Sequence, residues 1–277
     1  MSITITTIIE NEKKINSNLD NEFGLSLYID DGEIQLLLDT GQTGLFLKNA
    51  EKLNVNLKDL KTVVLSHSHF DHTGGLKSLI ETVNKDFNLY INPNFFKEKY
   101  KLENNVETFI GNNFNKEYLI ENNINIVEMK EDTLKLSEKI TLFTNFKNVT
   151  NFDPDNERYI LKNNNENIVD KMEDEVAIGI DTSKGYLIVC GCSHIGIGNI
   201  VEKIKEKTHK NIYGIVGGLH LSRANLDRIN KTIDYFKENN IKFLGTSHCT
   251  GANFINELKK QNLNYISNNT GNKLIFD

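Results

Sequence analysis

A chain of 277 residues with 38% hydrophobic and 25% charged side chains can bury a full core, and its composition excludes intrinsic disorder. A net charge of −6 argues against non-specific binding to nucleic acid or to an anionic membrane surface. No apolar run reaches membrane-spanning length, the first residues lack a signal-peptide pattern, and three cysteines do not make a disulfide framework, so a cytoplasmic location is expected.

Ile3 to Ile9, Leu25 to Ile29 and Ile34 to Leu38 read as strands, the last two joined by the turn signal Asp30-Asp31-Gly32. Thr43 to Leu53 reads as a helix. A short buried strand, Thr62 to Leu65, precedes a polar cluster, and helical spacing resumes from Leu76 to Val83. Residues from about 91 to 160 are less regular and rich in Asn and Lys, with apolar runs at Ile124 to Val127 and Ile140 to Phe143. This stretch reads as an insertion or lid within a single domain. From Val176 the pattern sharpens: strands 176–180, 186–190, 212–216, 243–246 and 273–276 alternate with helices 197–207, 224–238 and 252–260. Strands alternating with helices predict an α/β layered domain.

The chemistry concentrates in Ser66-His67-Ser68-His69-Phe70-Asp71-His72, just before Gly74-Gly75. Three of the seven histidines and an aspartate fall within six residues there. Imidazole and carboxylate are ligands for zinc, iron and manganese. On a near-extended backbone His67 and His69 point the same way. Asp71 and His72, on a turn, can reach toward a second metal. A polar loop with merely exposed histidines does not account for four ligand-type residues between a buried strand and Gly-Gly.

Three further histidines share one context. His194, His220 and His248 each follow an apolar strand, lie near small residues and precede a helix. Carboxyl ends of strands are where α/β sites collect. Singly, each reads equally well as a strand-end histidine bonded to backbone; the repetition beside the first cluster favours convergence on one site. His209 lacks this context and is given no role. Cys190 and Cys192 precede His194, and Cys249 follows His248. For Cys190 and Cys249, packing as small buried side chains is an equal alternative.

His-x-His-x-Asp-His after a strand resembles the signature of the metallo-β-lactamase superfamily. Asp39-Thr40-Gly41, also after a strand, resembles its first motif. The resemblance implies a four-layer αββα sandwich, with Asp39 bracing the metal loop. His248 fits the superfamily's last histidine. The usual bridging aspartate is missing, since the strand Tyr186 to Cys190 ends in Gly-Cys-Ser-His. Either His194 supplies a ligand from that strand end or Cys192 takes the bridging place. Packing, or a supporting place just behind the ligands, is the reading slightly preferred for Cys192, because Gly191 interrupts the strand. The usual third histidine is also missing, and Asp174-Glu175 stands roughly in its place. Gly-Cys-Ser-His-x-Gly-Ile, Gly-Gly-Leu-His-Leu and His-Cys-Thr-Gly together resemble one branch, the predicted metal-dependent hydrolases that include a dihydropterin–ribofuranosylaminobenzene phosphate synthase.

On this reading His67, His69 and His194 hold one metal and Asp71, His72 and His248 a second. The cofactor is one or two divalent transition metals, with zinc expected first and iron or manganese as alternatives. Asp71 and His220 are the catalytic candidates, His220 as general acid or substrate contact, with ligation as its alternative. The expected activity is that of a hydrolase or phosphoester-active enzyme using a metal-bound hydroxide or a metal Lewis acid, since a bound cation lowers the pKa of water to about 7. A dihydropterin-type synthase releasing pyrophosphate is its transferase form. Gly74-Gly75, Arg223 and Thr250-Gly251 sit at expected helix starts, which favours a small anionic substrate. A metal-dependent sensor without turnover and an iron redox enzyme are the competing readings. The pattern sets no oligomeric state.

Overall fold

A computed structural model describes residues 2–153, 158–163, 166–261 and 263–277. Strands β1 (Ile3–Ile9), β2 (Ser26–Asp30) and β3 (Gln35–Leu38) form an antiparallel meander. Helix α1 (Leu45–Lys52) crosses to β4 (Thr62–Val64), which pairs parallel to β3. A four-residue helix, α2 (Phe70–Thr73), leads to α3 (Leu76–Thr82) and β5 (Asn88–Ile91). Next come β6 (Lys99–Glu103), β7 (Val106–Phe109), α4 (Lys116–Glu121), β8 (Asn125–Glu128), β9 (Thr133–Lys135), β10 (Ile140–Phe143), β11 (Tyr159–Asn163) and β12 (Glu166–Val169). The last third holds β13 (Ala177–Thr182), β14 (Gly185–Cys190), α5 (Ile197–Thr208), β15 (Ile212–Gly218), α6 (Leu226–Glu238), β16 (Phe243–Ser247), α7 (Ala252–Lys260), β17 (Tyr265–Ser267) and β18 (Lys273–Phe276).

Two seven-stranded sheets run β18-β1-β2-β3-β4-β5-β8 and β17-β16-β15-β14-β13-β10-β9. Three buried clusters define the four layers. One cluster lies between the sheets and joins Leu27, Leu36 and Val64 of the first to Ile178, Leu187 and Val216 of the second. A second packs Phe46, Leu79 and Leu119, from the helices, onto the outer face of the first sheet. The third packs Ile200, Ile204, Ile233 and Phe254 onto the outer face of the second. The order is therefore helix, sheet, sheet, helix, the αββα sandwich. Helix α6 shows why: Ile229, Thr232, Ile233 and Phe236 are buried at helical spacing, while Asn225 caps the N-terminus by accepting from the Arg228 amide. Burying one such aliphatic or aromatic side chain contributes about 1.5–3 kcal/mol.

The stretch from about 91 to 160 divides between layers. Strand β8 extends the first sheet, and β9 and β10 extend the second. Among the described strands of this stretch, β6, β7 and the start of β11 stand apart, in a four-stranded sheet of order β12-β11-β6-β7. The two apolar runs noted at 124–127 and 140–143 are β8 and β10, too short to show which sheet they join. Residues 154–157 of this stretch lie outside those described. Strands β4, β14, β15 and β16 are followed at their carboxyl ends by His67, His194, His220 and His248, respectively. No helix among the described residues is long and apolar enough to cross a membrane.

Candidate metal centre

The metal loop is held from beneath by Asp39. Its Oδ1 accepts the Ser66 amide at 2.7 Å, and its Oδ2 accepts the Ser66 hydroxyl at 2.7 Å and meets His72 Nδ1 at 2.6 Å. Asp39 itself has a positive φ of 60°, which turns its side chain under the loop at the end of β3. This leaves His72 Nε2 pointing the other way. A carboxylate on one imidazole nitrogen fixes the ring for ligation through the other.

His67 Nε2 and His69 Nδ1 lie 3.1 Å apart. Asp71 Oδ2 and His248 Nε2 lie 3.0 Å apart, and His72 Nε2 and Cys192 Sγ 3.1 Å apart. Two ligands at 2.0–2.1 Å from one tetrahedral zinc are separated by about 3.3 Å, so these spacings fit shared cations. Ligand atoms of His67, Cys192 and His194 fall within 4.8 Å of one another, as do those of His72, Cys192 and His248. The His194 ring centroid is 4.9 Å from that of His67 and 4.6 Å from that of His69. All six residues expected as ligands are thus brought together. Cys192 belongs to both groups. Gly191 does not carry the thiol away. It lets the strand end approach the loop, since a Cβ there would lie 2.1 Å from Ser66 Oγ.

Buried acidic side chains brace the loops. Glu175 accepts the amides of His194 and Ile195 at 2.9 and 2.8 Å. Asp174 accepts the Ser68 amide at 2.9 Å, inside the metal loop. Buried Lys99, from the small sheet, lies 2.6 Å from Asp174 and 2.8 Å from Asp170. Asp174 and Glu175 thus bind backbone amides, and the His194 ring lies beside those of His67 and His69. Glu10 accepts the His248 amide, and Asn11 Oδ1 meets His248 Nδ1 at 2.8 Å. Asp174-Glu175 is marked in the sequence through the family resemblance, whereas Glu10 carries no signal beyond its place at the end of a strand.

Burial, and then neighbouring imidazoles or Lys99, holds His67, His69 and His194 well below the usual histidine range. Neutral imidazole is the form that binds a metal. Burial opposes a charge on His72, but Asp39 and Asp71 outweigh it and raise the group to about 9. Burial likewise opposes a charge on Asp71, but His72 and His248 hold its carboxyl below the ordinary range. Burial, then Cys249, pushes the Cys192 thiol up. A coordinated metal supplies the positive charge that would make it a thiolate.

A cavity of about 500 Å³ opens over this cluster, lined by His69, Asp71, Cys192, His194 and His248. His220 lies on its wall, with its ring 4.0 Å from that of His194. Cys249 forms a third close group with Cys192 and His220. Cys190 instead packs under the strand end, donating to the carbonyls of Val216 and Gly218. Gly75 and Gly251 precede α3 and α7, and Arg223 lines the cavity ahead of α6. His209 is exposed at the left-handed C-terminus of α5, away from the centre. Arg158 and Tyr159 also line the cavity, and no motif marked either.

Residues 19–86 match the family profile described as the metallo-beta-lactamase superfamily. The chain is 34% identical to the 7,8-dihydropterin-6-methyl-4-(beta-D-ribofuranosyl)-aminobenzene-5'-phosphate synthase of Methanocaldococcus jannaschii, over 90% of this chain and 88% of that protein. It is similar to the crystal structure of Tm1679, a metal-dependent hydrolase of the beta-lactamase superfamily, with a TM-score of 0.82 and 27% identity, covering 98% of each chain. The Zn(2+)-bound PqqB of Methylobacterium extorquens shares the fold, with a TM-score of 0.57 and 13% identity over 98% of this chain and 99% of that one.

Proposed function

Because the chain belongs to the metallo-β-lactamase superfamily, in the branch that includes this dihydropterin–ribofuranosylaminobenzene phosphate synthase, we propose that it is a metal-dependent enzyme of phosphoester chemistry. Its substrate is a small anion, cleaved as by a hydrolase or transferred with loss of pyrophosphate as by a synthase. The observation that carries this reading is the pair of triads meeting at Cys192 beneath an open cavity. An open cavity supports turnover over a closed sensor site, because catalysis needs an accessible ligand position.

His67, His69 and His194 would hold one divalent metal, and Asp71, His72 and His248 the other, with Cys192 between them. Zinc suits imidazole, carboxylate and thiolate together; iron and manganese are the alternatives. When bound, such metals supply a Lewis acid and lower the pKa of water to about 7. The chain's own groups do the rest. Asp39, Asp174 and Glu175 keep the ligand loops in register through their backbone contacts. His220, which lines the cavity wall, would hold or give a proton to a leaving oxygen. Lys101, Arg158 and Arg223 supply positive charge to an anionic substrate.

The test is metal quantification on untagged protein, paired with a screen of phosphodiester, phosphomonoester, pyrophosphate-ester and lactone substrates. Bound metal and turnover of a phosphate or pyrophosphate ester support the reading. Metal-free protein that remains folded and fully active overturns it.

A further inference from the structure

We propose that Cys192 and Cys249 form a peroxide-sensitive thiol pair, which closes to a disulfide and so withdraws a sulfur from the metal ligands. The effect on the metal rests on the metal-centre reading above; the pairing of the sulfurs does not. All three cysteines are free thiols in this structure. Cys192 follows β14 and Cys249 follows β16, 57 residues later. These strands flank β15, so their axes stand roughly 10 Å apart, two strand spacings. At that separation side chains within the sheet do not meet. The two thiols meet over the end of β15.

The end of that strand is shaped for their approach. Gly217 has a positive φ of 126°, and Gly218 follows it. A Cβ on Gly218 would lie 2.6 Å from Cys249 Sγ and 3.3 Å from the Cα of Cys192. The missing side chain leaves the gap that the Cys249 thiol fills. Cys249 Sγ lies 3.5 Å from the carbonyl oxygen of Cys192, and the two sulfurs fall within 4.8 Å of one another. A rotation about one Cα–Cβ bond then closes the remaining distance. Both residues line the cavity, which admits a small oxidant. The His220 amide donates to Cys249 Sγ at 3.3 Å, a contact that supports negative charge on the attacking sulfur. Cys190 supplies the contrast. It is buried beneath the strand end, and its thiol donates to the carbonyls of Val216 and Gly218 at 3.6 Å. Buried structural cysteines of this kind are inert.

The chemistry balances with hydrogen peroxide as the oxidant. The Cys249 sulfur attacks one peroxide oxygen, the O–O bond breaks, and hydroxide leaves with the thiol proton as water. The Cys192 sulfur attacks the resulting sulfenic acid, the S–O bond breaks, and hydroxide leaves with the second thiol proton as water. The thiol pair loses two electrons and two protons in all, and the peroxide becomes two waters. Before oxidation Cys192 Sγ lies 3.1 Å from His72 Nε2, among the ligand groups. A metal holds a thiol as thiolate, and a disulfide sulfur no longer supplies that charge.

The test treats the full chain, as purified and after zinc loading, with hydrogen peroxide. Its peptides are then mapped by mass spectrometry without reduction, and zinc content and affinity are measured in parallel. The expected product links the Cys192 and Cys249 peptides by a disulfide and leaves Cys190 as a thiol that iodoacetamide alkylates after unfolding. Zinc affinity should fall at least about tenfold, and dithiothreitol should restore both the thiols and the binding. Cys249→Ser should keep its zinc at the peroxide dose that empties the native chain. A map in which Cys192 and Cys249 stay unlinked, or in which either is joined to Cys190, overturns the pair. Equal zinc loss from the native chain and from Cys249→Ser overturns its control over the metal. A chain that holds no metal before oxidation and still forms the disulfide overturns the metal-centre reading and upholds the pair.

Discussion

The Sγ of Cys192 lies 3.1 Å from Nε2 of His72, across 120 residues of sequence. The same sulfur is close to the ligand nitrogens of His67 and His194 on one side and His248 on the other. That central place leads to the first prediction. Cys192→Ser should lower metal affinity by at least about tenfold and abolish thiolate–metal absorption in the cobalt-substituted protein. An unchanged cobalt spectrum would return Cys192 to simple packing.

Asp39 holds His72 in one orientation and pins the Ser66 amide at the same time. Asp39→Asn keeps the shape but weakens the acceptor. It should reduce metal affinity about 10–100-fold without removing any ligand. Competition titration against a chromogenic chelator reads this directly, and equal affinities would mean that Asp39 does not set the ring.

Stability of the chelator-treated protein should fall as pH rises from about 7 to 9. His72 is raised from 6.5 to about 9 in the folded state, so its contribution is complete below about pH 6.5 and is lost as pH rises through about 9. Glu175, raised from 4.5 to about 7 by burial, acts with the same sign in a lower window. Its contribution is present below about pH 4.5 and lost on passing pH 7. Melting temperatures in excess chelator should therefore drop between about pH 7 and 9, and that drop should be missing in Asp39→Asn; below pH 7 the Glu175 decline is opposed by His67, His69 and His194, whose lowered values make stability rise with pH up to about 6.5. A flat or rising profile between pH 7 and 9 contradicts the His72 assignment.

Lys99 places one positive charge between Asp170 and Asp174, all three nearly inaccessible to solvent. Lys99→Met leaves two buried carboxylates without their cation and should cost about 3–5 kcal/mol in urea unfolding. Because Asp174 also holds the Ser68 amide, metal affinity should fall as well. A loss under ~1 kcal/mol with unchanged metal affinity would show that the ion pair is dispensable.

His194→Ala and His209→Ala separate context from composition. The first removes a residue of the His67 triad and should lower metal content. The second removes an exposed helix-end side chain and should leave metal content as it was. Equal loss in both would dissolve the distinction.

The sequence by itself determined the layered α/β alternation and the strand-end places of His67, His194, His220 and His248. These features are local. A buried strand or an amphipathic helix repeats its pattern every few residues, and His67 to His72 meet through adjacency alone. Strand β1 and helix α7 match their readings at both ends, and α6 matches at its C-terminus. Short strands such as β6, β9 and β12 escaped because three to five residues carry no clear period.

Only the tertiary structure decided which of these groups meet. Glu10 reaches the His248 amide across 238 residues, and Asp174 reaches Ser68 across 106. Sheet order and register set such contacts, and no local pattern encodes them. The place of Cys192 depends on the close approach that Gly191 permits and on the positive φ of 59° at Ser193, which turns the chain toward His194. Arg158 stands just before β11, in a stretch that read as irregular, yet folding sets its guanidinium beside His220. Periodicity is written along the chain, whereas a site is assembled across it, by backbone turns whose direction the side-chain pattern does not specify.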